Sequence, residues 1–296
     1  MLRGAMEMRG EKPLARAETI HAVSPHARSP PSASSSRSME SDPPRRSLAG
    51  LLFLLLVVFA AWTLLSGTLR VPDRWNPWAP LRIDDPPNLM TRYKFQRATA
   101  DREACSALLQ QAQLGATALE DRSTGPGCGF DNAFRISRTS VAVGEPFALS
   151  CRAALSLAMW ERHALQQAAQ RHLGSEVARI EHFGSYACRN LYGREGGRRS
   201  QHASADAFDI AGFVLEDGRR IRLVSDWAAD TAGKGGGKAE DEAPVDAAAT
   251  LPPEAAFLRE VRDGACDWFD AVLGPDYNAA HADHFHFDRG RARICR

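Results

Sequence analysis

Two short stretches of the chain concentrate side chains able to hold a metal ion. SQHASADAFDI at 200–210 and AHADHFHFD at 280–288 contain four of the nine histidines and four aspartates. Imidazole and carboxylate are ligands that zinc takes in catalytic sites, where three protein ligands leave a fourth position for water. His202 and Asp209 supply two, and His286 the third. In an extended HFHF segment side chains alternate between faces, so His284 and His286 point one way and Phe285 and Phe287 the other. One face is then free to meet a metal while the other joins a core. The same letters have a plainer reading, in which His202 caps a turn, Asp209 closes one and HxH is coincidence. Residue chemistry leaves both open; the density of ligands is what speaks for zinc.

Bringing the two stretches together requires elements around them, and the spacing of apolar residues supplies these. Helices are expected at 101–114, with Asp101 as N-cap and Gly115 at the end, and at 150–173, between a Ser150 cap and Gly174. A third is expected at 254–273, after Pro252 and Pro253, with Phe257, Val261, Ala265, Phe269 and Val272 near helical spacing. Extended segments are expected at 177–183, 207–215, 220–224 and 284–288, with a glycine-containing turn at 216–219 joining the middle pair. Helices flanking a small, mostly antiparallel sheet make an α+β class.

Residues 1–46 are rich in Ser, Pro, Ala and Arg and poor in large apolar side chains, so burial cannot offset the entropy of ordering and a disordered cytoplasmic N-terminus is expected. LAGLLFLLLVVFAAWTLL at 48–65 carries no charge and is long enough for one bilayer crossing, which gives an expected anchor at 47–69. Arg45 and Arg46 precede it, and positive residues stay on the cytoplasmic side. The expected topology is a single-pass inner-membrane protein with its C-terminal part in the periplasm. A signal peptide is the competing pattern, but the run exceeds a usual h-region and LLSGTLRVP has no small-x-small cleavage site. Repeated prolines make 70–95 a spacer. Its Trp75 and Trp78 suit either a membrane interface or packing onto the domain at 96–296. Residues 231–253, with GKGGGKAEDEAP, read as a flexible insertion.

All six cysteines follow the apolar run, which suits disulfides in an oxidising compartment; fifteen pairings are possible and no CxxC occurs. A formal net charge of +1 gives no basic stripe, so no nucleic-acid partner is expected.

SxHxxxxAxD followed by HxH resembles the signature of zinc metallopeptidases that include D-alanyl-D-alanine carboxypeptidases and dipeptidases, the penicillin-insensitive murein endopeptidase and the Hedgehog signalling domain. Over about two hundred residues, GSYACRN, GGRRSQHASADAFDIAGF, EAAFLREVRDGACDWFDAVLGPDYNAAHADHFHFD and the final CR resemble the bacterial extensin-like C-terminal domain family. The resemblance implies a Hedgehog and D-Ala-D-Ala-peptidase-like fold and makes His202, Asp209 and His286 ligands of Zn2+. It places His284 beside the metal as a donor to an oxyanion, and Arg189 where a substrate carbonyl or carboxylate binds; a structural ion pair is the other role open to Arg189. The dipeptidase-like members carry a glutamate three residues before the last ligand. Here Asp283 stands there, one methylene shorter, and His281 of HADHFH is the alternative base.

The function implied is zinc-dependent hydrolysis of an amide bond in the peptide stems of peptidoglycan. The alternative is a zinc-stabilised module of the same fold that binds cell wall or protein without cleavage. A disulfide-stapled domain with no metal, its polar cluster only hydrogen-bonded, is the third possibility.

Overall fold

A computed structural model describes residues 45–66, 70–227 and 251–296. The expected disordered stretch therefore lies outside the described residues up to 44, as does the glycine-rich insertion up to 250. The chain divides into two units, 1–62 and 63–296.

Most of helix α1 (Arg45–Leu65) belongs to the first unit. Its side chains from Leu48 to Trp62 are exposed. No helix among the described residues is long and apolar enough to cross a membrane.

The second unit begins with α2 (Leu89–Ala100) and α3 (Arg102–Gln111), each capped by the residue before it. Asn88 Oδ1 accepts from the Met90 amide and Asp101 Oδ1 from that of Ala104, satisfying donors that a helix start leaves without partners. Strands β1 (Gly115–Ala118), β2 (Arg122–Gly125), β3 (Cys128–Phe130), β4 (Ala133–Arg138) and β5 (Phe147–Ser150) follow. They form an antiparallel sheet of order β1-β4-β5 and a separate β2-β3 hairpin.

The helix expected at 150–173 begins with Ser150 and ends with Gly174 in the left-handed conformation, but a wide π-type turn (Glu161–Leu165) divides it into α4 (Cys151–Trp160) and α5 (Gln166–Leu173). β6 (Val177–Gly184), β7 (Ala207–Leu215) and β8 (Arg220–Arg222) come next, followed by the single turn α6 (Leu223–Asp226). The last elements are α7 (Pro253–Ala265), β9 (Ala271–Leu273), β10 (Phe285–Asp288) and β11 (Ile294–Cys295). The main sheet runs β11-β9-β10-β7-β6, with β8 also on β7, and every pairing but β11 with β9 is antiparallel.

The expected third helix is thus too long by a strand. Phe269 and Val272 fit its stripe only because residues 271–273 are buried on both faces, and a short continuous apolar run has no period that separates helix from strand. The turn closes with the Trp268 and Phe269 amides on the Ala265 carbonyl, and the Cys266–Cys295 disulfide ties it to β11.

The core lies between the main sheet and α4, α5 and α7: Phe208, Phe213, Phe285 and Phe287 are fully buried there with Trp160, Leu157 and Phe257. At roughly 1.5–3 kcal/mol for each large apolar side chain removed from water, this layer fixes which face of β7 and β10 turns inward. Leu81 and Ile83, within the stretch read as spacer, also join the core. Trp75 is 43% exposed and Trp78 78% exposed. The remaining disulfides, Cys105–Cys151 and Cys128–Cys188, use every cysteine.

Candidate metal centre

The alternation that buries Phe208 and Ile210 of β7, and Phe285 and Phe287 of β10, sends Asp209 and His286 to the opposite face. The register then pairs His286 directly with Asp209 across the two strands. Side chains so placed stand about 5 Å apart at Cβ, close enough to share a ligand. His202 arrives from a 3-10 turn (Gln201–Ser204) that Ser200 caps through its hydroxyl and Ala205 ends at φ 55°. The spacing of SxHxxxxAxD thus encodes a cap, a one-turn helix, a left-handed exit and the strand carrying the carboxylate.

Of the two aspartates in the first stretch, Asp206 is structural. It binds Arg152 through both oxygens and accepts from Ser150 and Ser204. Asp209 instead meets His286 Nδ1 at 2.9 Å and His202 Nε2 at 3.1 Å, and the two histidine nitrogens are 3.2 Å apart. All three residues are buried, and one donor atom from each lies within 4.8 Å of the others.

The remaining nitrogens decide which atoms face the centre. His202 Nδ1 lies 3.1 Å from the Ser185 carbonyl, which can only accept, so Nδ1 carries hydrogen and Nε2 turns its lone pair inward. His286 Nε2 lies 3.0 Å from Asp288 Oδ2, which leaves Nδ1 inward. An imidazole whose second nitrogen donates to a carbonyl or carboxylate is the usual state of a metal-ligating histidine. Tetrahedral ligands about 2.0–2.2 Å from one zinc stand roughly 3.3–3.6 Å apart, so the observed separations need widening by only a few tenths of an ångström. The donor set therefore fits zinc.

Titration follows the same contacts. Burial opposes ionisation of Asp209, but the close polar contacts and charge of His202 and His286 hold its carboxyl well below the usual carboxylate range. Burial alone would lower His286, yet Asp209 and Asp288 raise it to about 9. His281 goes the other way, to about 4, through burial and then the nearby His286 and His284.

The other expected residues fall into two groups. His281 and His284 stand beside the trio, with ring centroids 5.8 Å from His286 for the first and Nε2 3.8 Å from Asp209 for the second. Asp283 turns away: its side chain is 52% exposed and its carboxylate engages His284 Nδ1 at 2.8 Å. Arg189 is exposed and makes no ion pair among the described residues, and its charge acts on His281. The Cys128–Cys188 disulfide pins the segment that carries both Ser185 and Arg189.

The sequence alone does not single out Asp288, the Ser185 carbonyl or Asn278, whose Oδ1 faces His281 Nδ1 at 2.8 Å. Asp288 was findable, since two residues past His286 on a strand is the same face. The Ser185 contribution is a backbone carbonyl and has no side-chain signal. A cleft of ≈ 1340 Å³ lined by Arg92, His163, Trp268 and Arg289 contains none of the ligands. Ligand chemistry, not volume, locates the site.

A family model described as extensin-like protein C-terminus matches residues 103–296, two-thirds of the chain and every residue of the centre. The chain belongs to the extensin-like C-terminal family. No curated protein and no solved structure matches it. Within this extensin-like domain the His202, Asp209 and His286 trio, the two acceptors behind its histidines and the three disulfides share one folded unit.

Proposed function

We propose that this extensin-like protein is a zinc-dependent hydrolase of amide bonds in the peptide stems of peptidoglycan, held at the periplasmic face of the inner membrane by residues 47–69. The observation that carries the reading is the convergence of His202 Nε2, His286 Nδ1 and the Asp209 carboxylate, each histidine with its other nitrogen on a fixed acceptor. Resemblance of SxHxxxxAxD and HxH to the D-Ala-D-Ala carboxypeptidase, murein endopeptidase and Hedgehog superfamily supports the substrate class. The uncharged run at 48–65 supports the anchor, and three disulfides support an oxidising compartment.

Zinc, when bound, supplies a Lewis acid that acidifies water and polarises a carbonyl. The chain's own residues then divide the work. His281, with Nδ1 bonded to Asn278, offers Nε2 as the proton acceptor. His284, whose Nδ1 is engaged by Asp283, presents Nε2 to a developing oxyanion when protonated. The exposed Arg189 orients a substrate carbonyl or carboxylate. Incubation of the purified full chain with muropeptides should release new peptide ends. Unchanged muropeptides with a zinc-loaded protein would sink the hydrolase.

One observation favours a second reading, a zinc-stabilised module that binds wall peptide without cutting it. Asp283, at the position of the dipeptidases' glutamate, faces solvent and its histidine neighbour and not the trio. Co-sedimentation with peptidoglycan without release of peptide ends is its signature.

A further inference from the structure

Phe183 is a large apolar side chain left outside the core, beside the centre. The register of β6 on β7 passes from His182 opposite Ile210 to Gly184 opposite Asp209, so Phe183 is the extra residue of a β-bulge level with the Asp209 carboxylate. Bulges re-aim side chains and recur next to active sites. His182 packs inward on Phe147 and Phe208, and alternation therefore sends Phe183 to the face that carries Asp209. There it is 62% exposed, with its ring 5.7 Å from that of His284 and steeply inclined to it.

The same imidazole carries a carboxylate. Asp283 Oδ1 meets His284 Nδ1 at 2.8 Å, its Oδ2 makes no hydrogen bond among the described residues, and the side chain is half exposed. The His284 ring stands between Asp283 and the centre, its Nε2 3.8 Å from Asp209. An open aromatic ring attracts an alkylammonium through its quadrupole, and a spare carboxylate oxygen attracts it through charge. At His281 the sign is reversed. Arg189 is close enough for its charge to act on that ring, and Arg194 covers Tyr192, whose phenol meets Asn278 beside His281. The two histidines next to the trio thus have surroundings of opposite charge.

We propose that Phe183 and Asp283 form a subsite for a free ammonium group of the substrate. The peptide taken then has an amine on the His284 side of the cleaved bond and a carboxylate on the His281 side. This deepens the hydrolase reading and rests on it for the bond that is cut, though not for the ammonium contacts. It also gives Asp283 a task compatible with its turn away from the trio, recognition in place of proton transfer.

The test measures equilibrium binding of two probes to the full chain in detergent with zinc present: a stem peptide with a free side-chain amine, and the same peptide acetylated there. The natural protein should bind the free amine about 10-fold more tightly, the scale of one ion pair and one cation–π contact together. Asp283→Asn keeps an oxygen for His284 Nδ1 but removes the charge, and should cut the preference to about twofold. Phe183→Leu keeps an apolar side chain but no ring, and should cut it to about fourfold. High salt should shrink the preference of the natural protein. Equal binding of the two probes by the natural protein would overturn the proposal, as would a preference that survives Asp283→Asn while hydrolysis of both probes slows alike, the mark of a base. A preference lost in Asp283→Asn, in a protein that releases no peptide ends, would refute the hydrolase reading and leave the ammonium subsite standing.

Discussion

Replacing Asp288 by Asn tests whether the centre depends on residues behind its ligands. Asp288 holds two donors at once, His286 Nε2–H at 3.0 Å on Oδ2 and the Gly290 amide at 2.7 Å on Oδ1. A carboxamide of the same shape has one acceptor end and one donor end. If its oxygen keeps Gly290, its NH2 faces Nε2–H and drives His286 to the other tautomer, which puts a hydrogen on the nitrogen that should meet the metal. If its oxygen keeps His286, the Gly290 amide faces a donor and the strand exit loosens. Loss of such an outer partner lowers metal affinity about 10- to 100-fold, or about 1.4–2.8 kcal/mol. Competition for zinc between the full chain and a chromophoric chelator reads this directly, with thermal melts of the metal-free proteins as the control for folding. An affinity within about twofold of the natural protein would show that Asp288 does not orient His286.

Further outcomes follow from the same structure. In the metal-free protein, His286 is raised from 6.5 to about 9 and Asp209 is depressed below 3.8, so their contribution to stability is fully present between those reference values, is lost as pH rises from 6.5 through about 9, and is lost again as pH falls below 3.8. Chemical denaturation across pH should show that decline on the alkaline side, whereas zinc, which competes with the His286 proton, should stabilise more as pH rises. Burial raises Glu161 from 4.5 to about 7, with only Ser140 and Thr139 opposing, so stability should fall as pH climbs through that window. Glu161→Gln should flatten the slope, and an unchanged slope would assign it elsewhere. Replacing Cys128 and Cys188 by Ser opens a crosslink between residues 60 apart and should cost about 2–5 kcal/mol, read as a lower denaturation midpoint.

The candidate site was more legible in the sequence than the fold around it. His202, Asp209 and His286 stand out through the density of ligands in two short stretches and the resemblance of SxHxxxxAxD and HxH to known zinc sites, and a strand's two-residue period puts His284 and His286 on one face. Ser150 and Gly174 marked a helix by cap chemistry, and β6, β7 and β10 stood close to where alternation put them. The strands between Gly115 and Ser150 were invisible because each is three to six residues long and several face solvent, so no apolar period develops. β9 was absorbed into a helix for the opposite reason, since all three of its residues are buried. The disulfide partners depend on which elements pack together, which spacing does not encode. Asp283 was weighed as a base from its distance along the chain; its place before the strand begins turns it toward His284 and solvent.

The most direct test of the metal centre is elemental analysis of the full chain, purified without chelator, beside His202→Ala, Asp209→Asn and His286→Ala. One equivalent of zinc in the natural protein, lost in all three variants while their folds persist, is the outcome expected of a metal held by His202 Nε2, His286 Nδ1 and Asp209. A natural protein free of metal after exposure to zinc, or His202→Ala retaining a full equivalent, would contradict it.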